Sequence, residues 1–211
     1  YSTSSFYVVM LHMQEMWGSF TAPRGVGGLV EPLEKRMLDV GIEVIKGNAV
    51  TRLECSGGKI EMAVLQSGRR IPSSHLISDI SPHDLYGRLL PDECAARSRG
   101  RLVDIKYSPS VFSYHFTTRR CYSDLPSMMV IFPGDLENFC SQVYARGVMP
   151  DELLLGVYRA SFHDRSFSPE GGDHFSVYLS VPNLQSDIRW EEVSAQLVDE
   201  IVARLEEYLL P

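Results

Sequence analysis

The stretch "PRGVGGLVEPLEKRMLDVGIEVIKGNAV", residues 23–50, joins a glycine-rich turn to an amphipathic pattern and then to an apolar run. Behind the glycines, apolar residues recur every three or four positions, which predicts a helix through Leu29, Leu33, Met37 and Val40. Gly41 can adopt the left-handed conformation that commonly ends a helix. The apolar residues 42–45 that follow predict a buried strand.

The glycines of this stretch do not match a phosphate-binding loop. A P-loop places a lysine and a hydroxyl residue directly after its last glycine, whereas Leu29 and Val30 follow Gly28. A dinucleotide-binding turn requires G-x-G-x-x-G after a buried strand, and the spacing of Gly25, Gly27 and Gly28 differs from that pattern. The glycines therefore predict a turn that leads into a helix.

The rest of the chain predicts an α/β fold in which helices and strands are mixed. Gly57-Gly58 and Ser67-Gly68 are predicted hairpin turns, and Leu76-Ile77 is predicted to begin another strand towards Pro82. Apolar periodicity predicts a helix over 6–17, and we expect its methionines to pack in a core rather than line an apolar cavity. Further predicted elements are a helix from Leu136 that ends at Gly147, a helix over 190–208, and strands at 111–116, within 152–161 and at 175–181.

Composition limits the classes of partner and compartment. The 211 residues include 20 basic and 27 acidic side chains, a formal charge of −7, so no nucleic-acid partner is expected. The four cysteines form no C-x-x-C pair and predict free thiols in a reducing compartment. No apolar run reaches the roughly 20 residues that cross a bilayer, so we expect a cytoplasmic or peripheral membrane protein. Composition leaves the oligomeric state open.

Three stretches together resemble the FAD-dependent phytoene desaturase-like proteins, which include carotenoid desaturases and retinol saturases of the flavin amine oxidase superfamily. Residues 23–60 are similar to the family's P-x-G-G…L…L…G…I…N-x-x-V-x-x-I segment, and "GRRIPSSHLISDISPHDLYGRLLP", residues 68–91, is similar to its G-x-x-I-x-A-D-x-V-I-S-N…P segment. Residues 160–209 resemble its D-x-S-x-x-P-x-G…V-P…W stretch. Ser73-Ser74-His75 and Asp79 depart from the family pattern. The matching positions are Pro23, Gly27, Gly28, Leu33, Gly41, Asn48, Val50, Leu53, Asp164, Ser166, Pro169, Gly171, Val181, Pro182 and Trp190.

The resemblance implies part of an FAD/NAD(P)-binding-like domain and a substrate domain with a mixed β-sheet flanked by helices. It implies a substrate-domain helix at 1–20, a partial FAD-binding domain at 21–85 and a substrate-binding domain at 86–211. It also implies that FAD is the cofactor and that the backbone of Val50 contacts its adenosine end. Because the family's G-x-G-x-x-G is not in the chain, we expect an internal piece of a longer flavoenzyme, inactive alone and weak in FAD binding.

In such a flavoenzyme the flavin takes hydride from a C–C bond of a long apolar isoprenoid, so the implied partner is an apolar small molecule. The cofactor carries this chemistry, and the sequence identifies no catalytic residue and no metal site. His163 and Asp164 in "FHDRS" lie beside a turn marked by Pro169 and Gly171, which favours a structural role. An amine-oxidising or alkene-saturating flavoenzyme and a flavin-free binding module stay as alternatives. The short basic clusters "RSRGRL" and "TTRRCYSD" leave peripheral contact with anionic lipid open.

Overall fold

The computed structural model describes residues 5–18, 20, 22, 24–103, 105 and 107–210. They divide into two compact units, the first formed by residues 1–33 with 108–211 and the second by residues 34–107. Helices and two antiparallel sheets alternate along the chain, which confirms the predicted α/β class. The predicted domain boundaries at residues 20 and 85 stay a prediction, as does the naming of a flavin and a substrate domain. Pro23, the first residue of the glycine motif, lies outside the described residues.

The elements follow one another in chain order with short connections. The helices are α1 (Ser5–Trp17), α2 (Val30–Asp39), α3 (Pro82–Asp84), α4 (Asp92–Leu102), α5 (Leu136–Cys140) and α6 (Trp190–Tyr208). Short 3-10 turns lie at Val26–Leu29, Ala160–Phe162 and Arg165–Phe167, and π-helical turns extend α3 over Leu85–Leu89 and α5 over Ser141–Arg146. The strands are β1 (Val50–Ser56), β2 (Lys59–Leu65), β3 (Arg70–Pro72), β4 (Ser110–Thr117), β5 (Met128–Ile131), β6 (Leu155–Arg159) and β7 (His174–Val181).

The core of the first unit lies between a four-stranded sheet and helix α6. The strands are ordered β4-β7-β6-β5, and every neighbouring pair is antiparallel. Leu197, Ile201 and Leu205 recur every four residues on α6 and are at most 3% exposed. They pack in one cluster with Phe175 and Val177 of the central strand β7. Each such side chain contributes about 1.5–3 kcal/mol on burial, which explains why the predicted stripe of α6 forms.

The second unit contains a three-stranded sheet, ordered β1-β2-β3, and helix α4. Gly57 and Gly58 connect β1 to β2 with φ of 56° and 75°, the left-handed values that a two-residue hairpin turn requires. Gly41 ends the helical region after α2 with φ of 82°, as predicted. A small core forms between the sheet and α4, and burial raises the pKa of Cys55 in that core to about 12, with a further contribution from the neighbouring Cys94.

Two predicted strands are wrong. Residues 42–45 and the segment that begins at Leu76-Ile77 have no strand pairing in the described part of the chain, and Ile77 is fully exposed. Apolar and β-branched residues favour an extended backbone, but a strand forms only where a neighbouring strand accepts and donates its hydrogen bonds. Neither segment pairs with β1 or β3, the edge strands of the three-stranded sheet.

The predicted core packing of Met13 in α1 is also wrong, although the helix itself is confirmed. Val9, Met13 and Trp17 are 53%, 44% and 66% exposed. Helix α2 likewise has no buried residue, and Leu33 on its apolar stripe is exposed. Helical periodicity therefore predicted the backbone of both helices, while their packing depends on partners that periodicity does not identify.

Candidate functional site

The four-stranded sheet of the first unit has one covered face and one uncovered face. Alternate residues of β7 point to α6, and Phe175, Val177 and Leu179 are at most 2% exposed there. The intervening residues of β4, β5, β6 and β7 lie on the other side because side chains alternate along a strand. This other side is called the open face, and its residues are Val111, Ser113, His115, Thr117, Met128, Val130, Gly156, Tyr158, His174, Ser176, Tyr178 and Ser180.

Strand register arranges the open face in rows across the sheet. One row contains His115, Ser176, Tyr158 and Met128, because each is the partner of the next on the adjacent strand. With about 3.3 Å per residue and about 4.8 Å between strands, the face measures roughly 26 by 15 Å. These dimensions suit an extended ligand that lies flat on the sheet.

The margins of the open face are apolar. Val111, Met128 and Val130 are 61%, 67% and 44% exposed. Gly156 lies between Val130 and Tyr178 in the next row, and a Cβ atom at this glycine would meet only the Tyr178 carbonyl oxygen, at 3.6 Å. The missing side chain leaves a trough between Val130 and Tyr178. Exposed apolar surface larger than a few hundred Å² commonly marks a site of interaction.

Polar side chains occupy the part of the open face that β4 and β7 form. The Nδ1 atom of His115 lies 2.8 Å from Oγ of Ser176, across the β4–β7 pair. The ring of Tyr178 meets the ring of His115 edge to face, with centroids 5.9 Å apart. The ring of His174 lies 6.3 Å from that of His115, and burial followed by the charge of His115 lowers the pKa of His174.

A buried carboxylate fixes the loops at one end of the sheet. Asp173, directly before β7, is fully buried and accepts hydrogen bonds from Ser161 Oγ, Tyr122 N and Arg165 Nη1, each at 2.7 Å. Burial on its own raises the pKa of Asp173, but these bonds and the nearby Arg159 guanidinium hold it below its ordinary value. The carboxylate is therefore ionised and structural. It anchors the loop before β5 and the turns before β7 to one another.

The glycine turn and the D-x-S turn, far apart in sequence, meet in the structure. The backbone N–H of Arg24 donates to Asp164 Oδ2 at 3.1 Å, and a Cβ atom at Gly25 would lie 3.6 Å from the ring of Phe167. The ring centroid of Phe167 lies 6.4 Å from that of His174, at the end of the open face. The glycines therefore position a turn beside this face, as a structural role predicts.

The residues of the glycine turn do not fit a pyrophosphate. The N–H of Gly28 donates to the Gly25 carbonyl, and the carboxylate of Glu31 lines the same shallow cavity of about 250 Å³. Arg24, the cation of this cavity, forms an ion pair with Glu31. An anion here would meet the Glu31 carboxylate, and the N–H of Gly28 is already bonded to the Gly25 carbonyl.

Val50, the predicted cofactor contact, is the first residue of β1 and is 38% exposed. Strand β1 is at the edge of the described three-stranded sheet, so backbone atoms on its outer side can reach a flat ligand such as an adenine ring. The nearby Asn48 accepts a hydrogen bond from Ser67 N and donates one to Ser67 Oγ, which fixes the turn between β2 and β3. The contact between Val50 and a cofactor stays a prediction.

The "FHDRS" segment forms turns. Asp164 caps the 3-10 turn Arg165–Phe167 by accepting from Ser166 N, and the ring of His163 stacks near Tyr158 with centroids 6.5 Å apart. Within the described residues, no group of three or more histidine, cysteine, aspartate or glutamate side chains could hold a metal ion.

The sequence did not predict the Asp173 network or the polar side chains of the open face. Alternation in "VFSYHF" and "HFSVYLSV" is a signal that could have separated the two faces of β4 and β7. No comparable signal pairs Tyr122 with Asp173, because they lie in different loops 51 residues apart.

Comparison with known proteins confirms the resemblance predicted from the motifs. The chain is 27% identical over its whole length to a lycopene-forming phytoene desaturase of Pantoea ananas, and covers 43% of that protein. It is 24% identical to a neurosporene-forming phytoene desaturase of Rhodobacter capsulatus, with 100% of this chain and 42% of that protein covered. It is 20% identical to a 4,4'-diaponeurosporene oxygenase of Staphylococcus haemolyticus, over 98% of this chain and 41% of that protein. The chain thus resembles carotenoid desaturases and spans about two fifths of their length. No family model matches the chain.

Among solved structures, the chain resembles an oxidoreductase from Methanosarcina mazei with a TM-score of 0.53 and 16% identity. The match covers 87% of this chain and 38% of that chain. At this level of identity, the likeness shows a shared fold.

Proposed function

We propose that the chain is part of an FAD-dependent oxidoreductase that dehydrogenates a long apolar isoprenoid, and that its open face forms one wall of the substrate site. The observation that carries this proposal is the two-sided sheet. One side packs on α6, whereas the other exposes aliphatic and aromatic side chains over an area long enough for an extended polyene. The relatives named as phytoene desaturases support this substrate class.

The role of the open face in this function is to bind and orient the substrate. Val111, Met128 and Val130 offer apolar contact, and the trough at Gly156 leaves room for a chain to lie close to the backbone. Apolar surface buried between ligand and sheet contributes roughly 25 cal/mol per Å², and the same contact excludes water. FAD, when bound, supplies the hydride acceptor.

The fit of the described residues to FAD is partial. The edge strand at Val50 suits a backbone contact with the adenine, whereas the glycine turn does not suit the pyrophosphate. We therefore assign only the adenosine contact to this chain and expect the 211 residues alone to bind FAD weakly and to lack activity.

Peripheral attachment to a membrane is part of the proposal, because an isoprenoid of this length partitions into lipid. None of the described helices is both long and apolar enough to cross a membrane. Val9, Met16 and Trp17 of α1 are exposed apolar side chains that suit a lipid surface.

The test uses the full-length gene product with its cofactor. We expect a flavin absorption band that bleaches when phytoene is added without oxygen. We also expect Val111→Asp to weaken phytoene binding about tenfold or more, because a carboxylate would be buried against hydrocarbon. Tyr208→Asp is the matched control: Tyr208 is 54% exposed on α6, on the covered side of the sheet, against 61% for Val111.

Three results would contradict the proposal. Equal phytoene affinity in the two variants would remove the open face from the substrate site. A flavin that stays oxidised with isoprenoids but bleaches with an amine would favour the amine-oxidising alternative, and a colourless folded protein would favour the flavin-free binding module.

A further inference from the structure

We infer that the polar side chains of β4 and β7 on the open face bind a neutral oxygen atom, a hydroxyl or a carbonyl, carried by the isoprenoid substrate. The inference concerns four residues, His115, His174, Ser176 and Tyr178, called the polar patch. It rests on the proposed function, because it assumes that the substrate lies on the open face, and it narrows the substrate to an oxygenated member of the class.

His115 is held in one orientation. Its Nδ1 atom lies 2.8 Å from Ser176 Oγ, and Ser176 is only 5% exposed. The hydrogen bond at one ring nitrogen fixes the ring plane, and because a hydroxyl can donate or accept, the other nitrogen, Nε2, can accept from or donate to a ligand oxygen. Among the described contacts, none uses Nε2 of His115. His115 itself is exposed on the open face, which leaves this atom for a ligand.

Polar groups gather at one point of the open face. His174 lies two residues along β7 from Ser176, in the next row of the open face, with its ring 6.3 Å from that of His115. Tyr178 lies on the other side of the same row, 5.9 Å from His115 between ring centroids and 42% exposed. An imidazole and a phenol can both donate and accept hydrogen bonds, so a ligand oxygen at this point has several partners within reach.

A pure hydrocarbon does not match the hydrogen-bonding groups of the polar patch. A polyene without oxygen would cover His115 and Tyr178 and remove water from them, with no hydrogen bond in return. A hydroxyl or carbonyl oxygen at the same point would restore those bonds. Sites built to hydrogen-bond an oxygen discriminate strongly against the analogue that lacks it.

The charges near the polar patch favour a neutral oxygen over a carboxylate or phosphate. The guanidinium groups of Arg159 and Arg165 face the buried carboxylate of Asp173. Burial lowers the pKa of His174 and so favours its neutral form. None of the described hydrogen bonds of the four residues of the patch involves an arginine or a lysine, so a hydroxyl or carbonyl group satisfies the patch without a charge that would need compensation.

The experiment measures binding by the full-length holoprotein in detergent micelles. Three probes share one acyclic polyene skeleton: the hydrocarbon, the same chain with a terminal hydroxyl and the same chain with a terminal aldehyde. We expect an oxygenated probe to bind about tenfold more tightly than the hydrocarbon, the difference that one well-formed hydrogen bond provides. The hydroxyl and aldehyde arms show which oxygen is preferred.

Variants locate the preference. His115→Phe should abolish the preference for oxygen and should raise hydrocarbon affinity, because a phenyl ring keeps the aromatic contact without the cost of removing water from an imidazole. Ser176→Ala should reduce the preference without removing the imidazole, since the ring loses the partner that orients it. His75→Phe is the matched control, because His75 is also exposed and its Nδ1 lies 3.0 Å from Ser74 Oγ in the other unit.

Each outcome bears on one of the two proposals. Equal affinity for all probes would overturn this inference and leave the proposed function in place. A preference for oxygen that survives in His115→Phe would also overturn it, because the recognising group would lie elsewhere. Failure of every probe to bind would contradict the proposed function itself, and the inference with it.

Discussion

Replacement of the buried Asp173 by asparagine should destabilise the first unit more than any other single polar substitution near the sheet. The side chain is fully buried, and Oδ1 accepts from Ser161 and Arg165 while Oδ2 accepts from the backbone of Tyr122. Asparagine offers one oxygen in place of two. Its NH2 group must therefore oppose one of these donors, whichever way the amide is turned.

The cost can be worked from these contacts. A buried donor left without an acceptor costs about 1–3 kcal/mol. The guanidinium of Arg159, whose side chain is 7% exposed, also loses the carboxylate that lies 4.0 Å from its Nε. Breaking a buried ion pair costs about 3–5 kcal/mol when the geometry is close, and this pair is at the outer limit of distance. We expect a loss of about 3 kcal/mol in the free energy of unfolding at neutral pH.

The loss should depend on pH in a defined direction. Burial alone raises the pKa of Asp173, but bonds from Ser161, Tyr122 and Arg165, with the charge of Arg159, lower it below the ordinary value. A lowered pKa means that the ionised carboxylate stabilises the fold above the unfolded value of about 3.9. This stabilisation is lost as pH falls through the folded pKa, so the difference between Asp173→Asn and the unchanged protein should shrink in acid.

The assay is urea unfolding of both proteins at neutral pH and at about pH 3, below the unfolded pKa. Asp124→Asn provides the control, because Asp124 is exposed and accepts only from Ser123 Oγ at 3.3 Å. A change of less than about 0.5 kcal/mol for Asp173→Asn at neutral pH would refute the reasoning, since exposed substitutions cause changes of that size. A difference that stays constant in acid would refute the charge argument and leave only the geometric one.

Two further predictions concern glycine and cysteine. Gly172→Ala should lower the free energy of unfolding by about 3 kcal/mol or more, because its Cβ would lie 2.0 Å from the Thr118 carbonyl oxygen. Gly27→Ala is the control and should leave the melting temperature unchanged, because its Cβ meets nothing within 4 Å. Equal melting temperatures for the two variants would contradict this. Cys121 is exposed and should be alkylated first at mildly alkaline pH, while Cys55, whose pKa burial raises to about 12, stays unmodified in the folded protein. Mass spectrometry of the alkylated chain decides this, and early modification of Cys55 would show that its burial is not maintained.

Local signals in the sequence predicted much of the fold. Gly41, Gly57 and Gly147 have positive φ where a helix end or hairpin turn was expected, because such conformations strain other residues. The stripe of α6 is confirmed by the burial of Leu197 and Ile201. These features depend on neighbours within a few residues, so a local pattern contains the information needed.

The wrong predictions share one cause, which is dependence on a distant partner. Residues 42–45 and Ile77 have the composition of buried strands, yet the described residues provide no strand to pair with them. Met13 and Leu33 have helical spacing, but no packed surface covers them. Composition predicts what backbone a segment favours, while pairing and burial are decided by residues far away in sequence.

The chemistry of the open face shows the same limit most clearly. Alternation along β4 predicts that His115 points away from Phe112 and Tyr114, and alternation along β7 separates Ser176 from Phe175. Neither pattern states that His115 and Ser176 face each other, because that depends on the register between strands 61 residues apart. A shift of one residue in that register would place Val177 or Phe175 opposite His115 and remove the hydrogen bond that orients its ring. The polar patch is therefore a property of the sheet, and only the structure could reveal it.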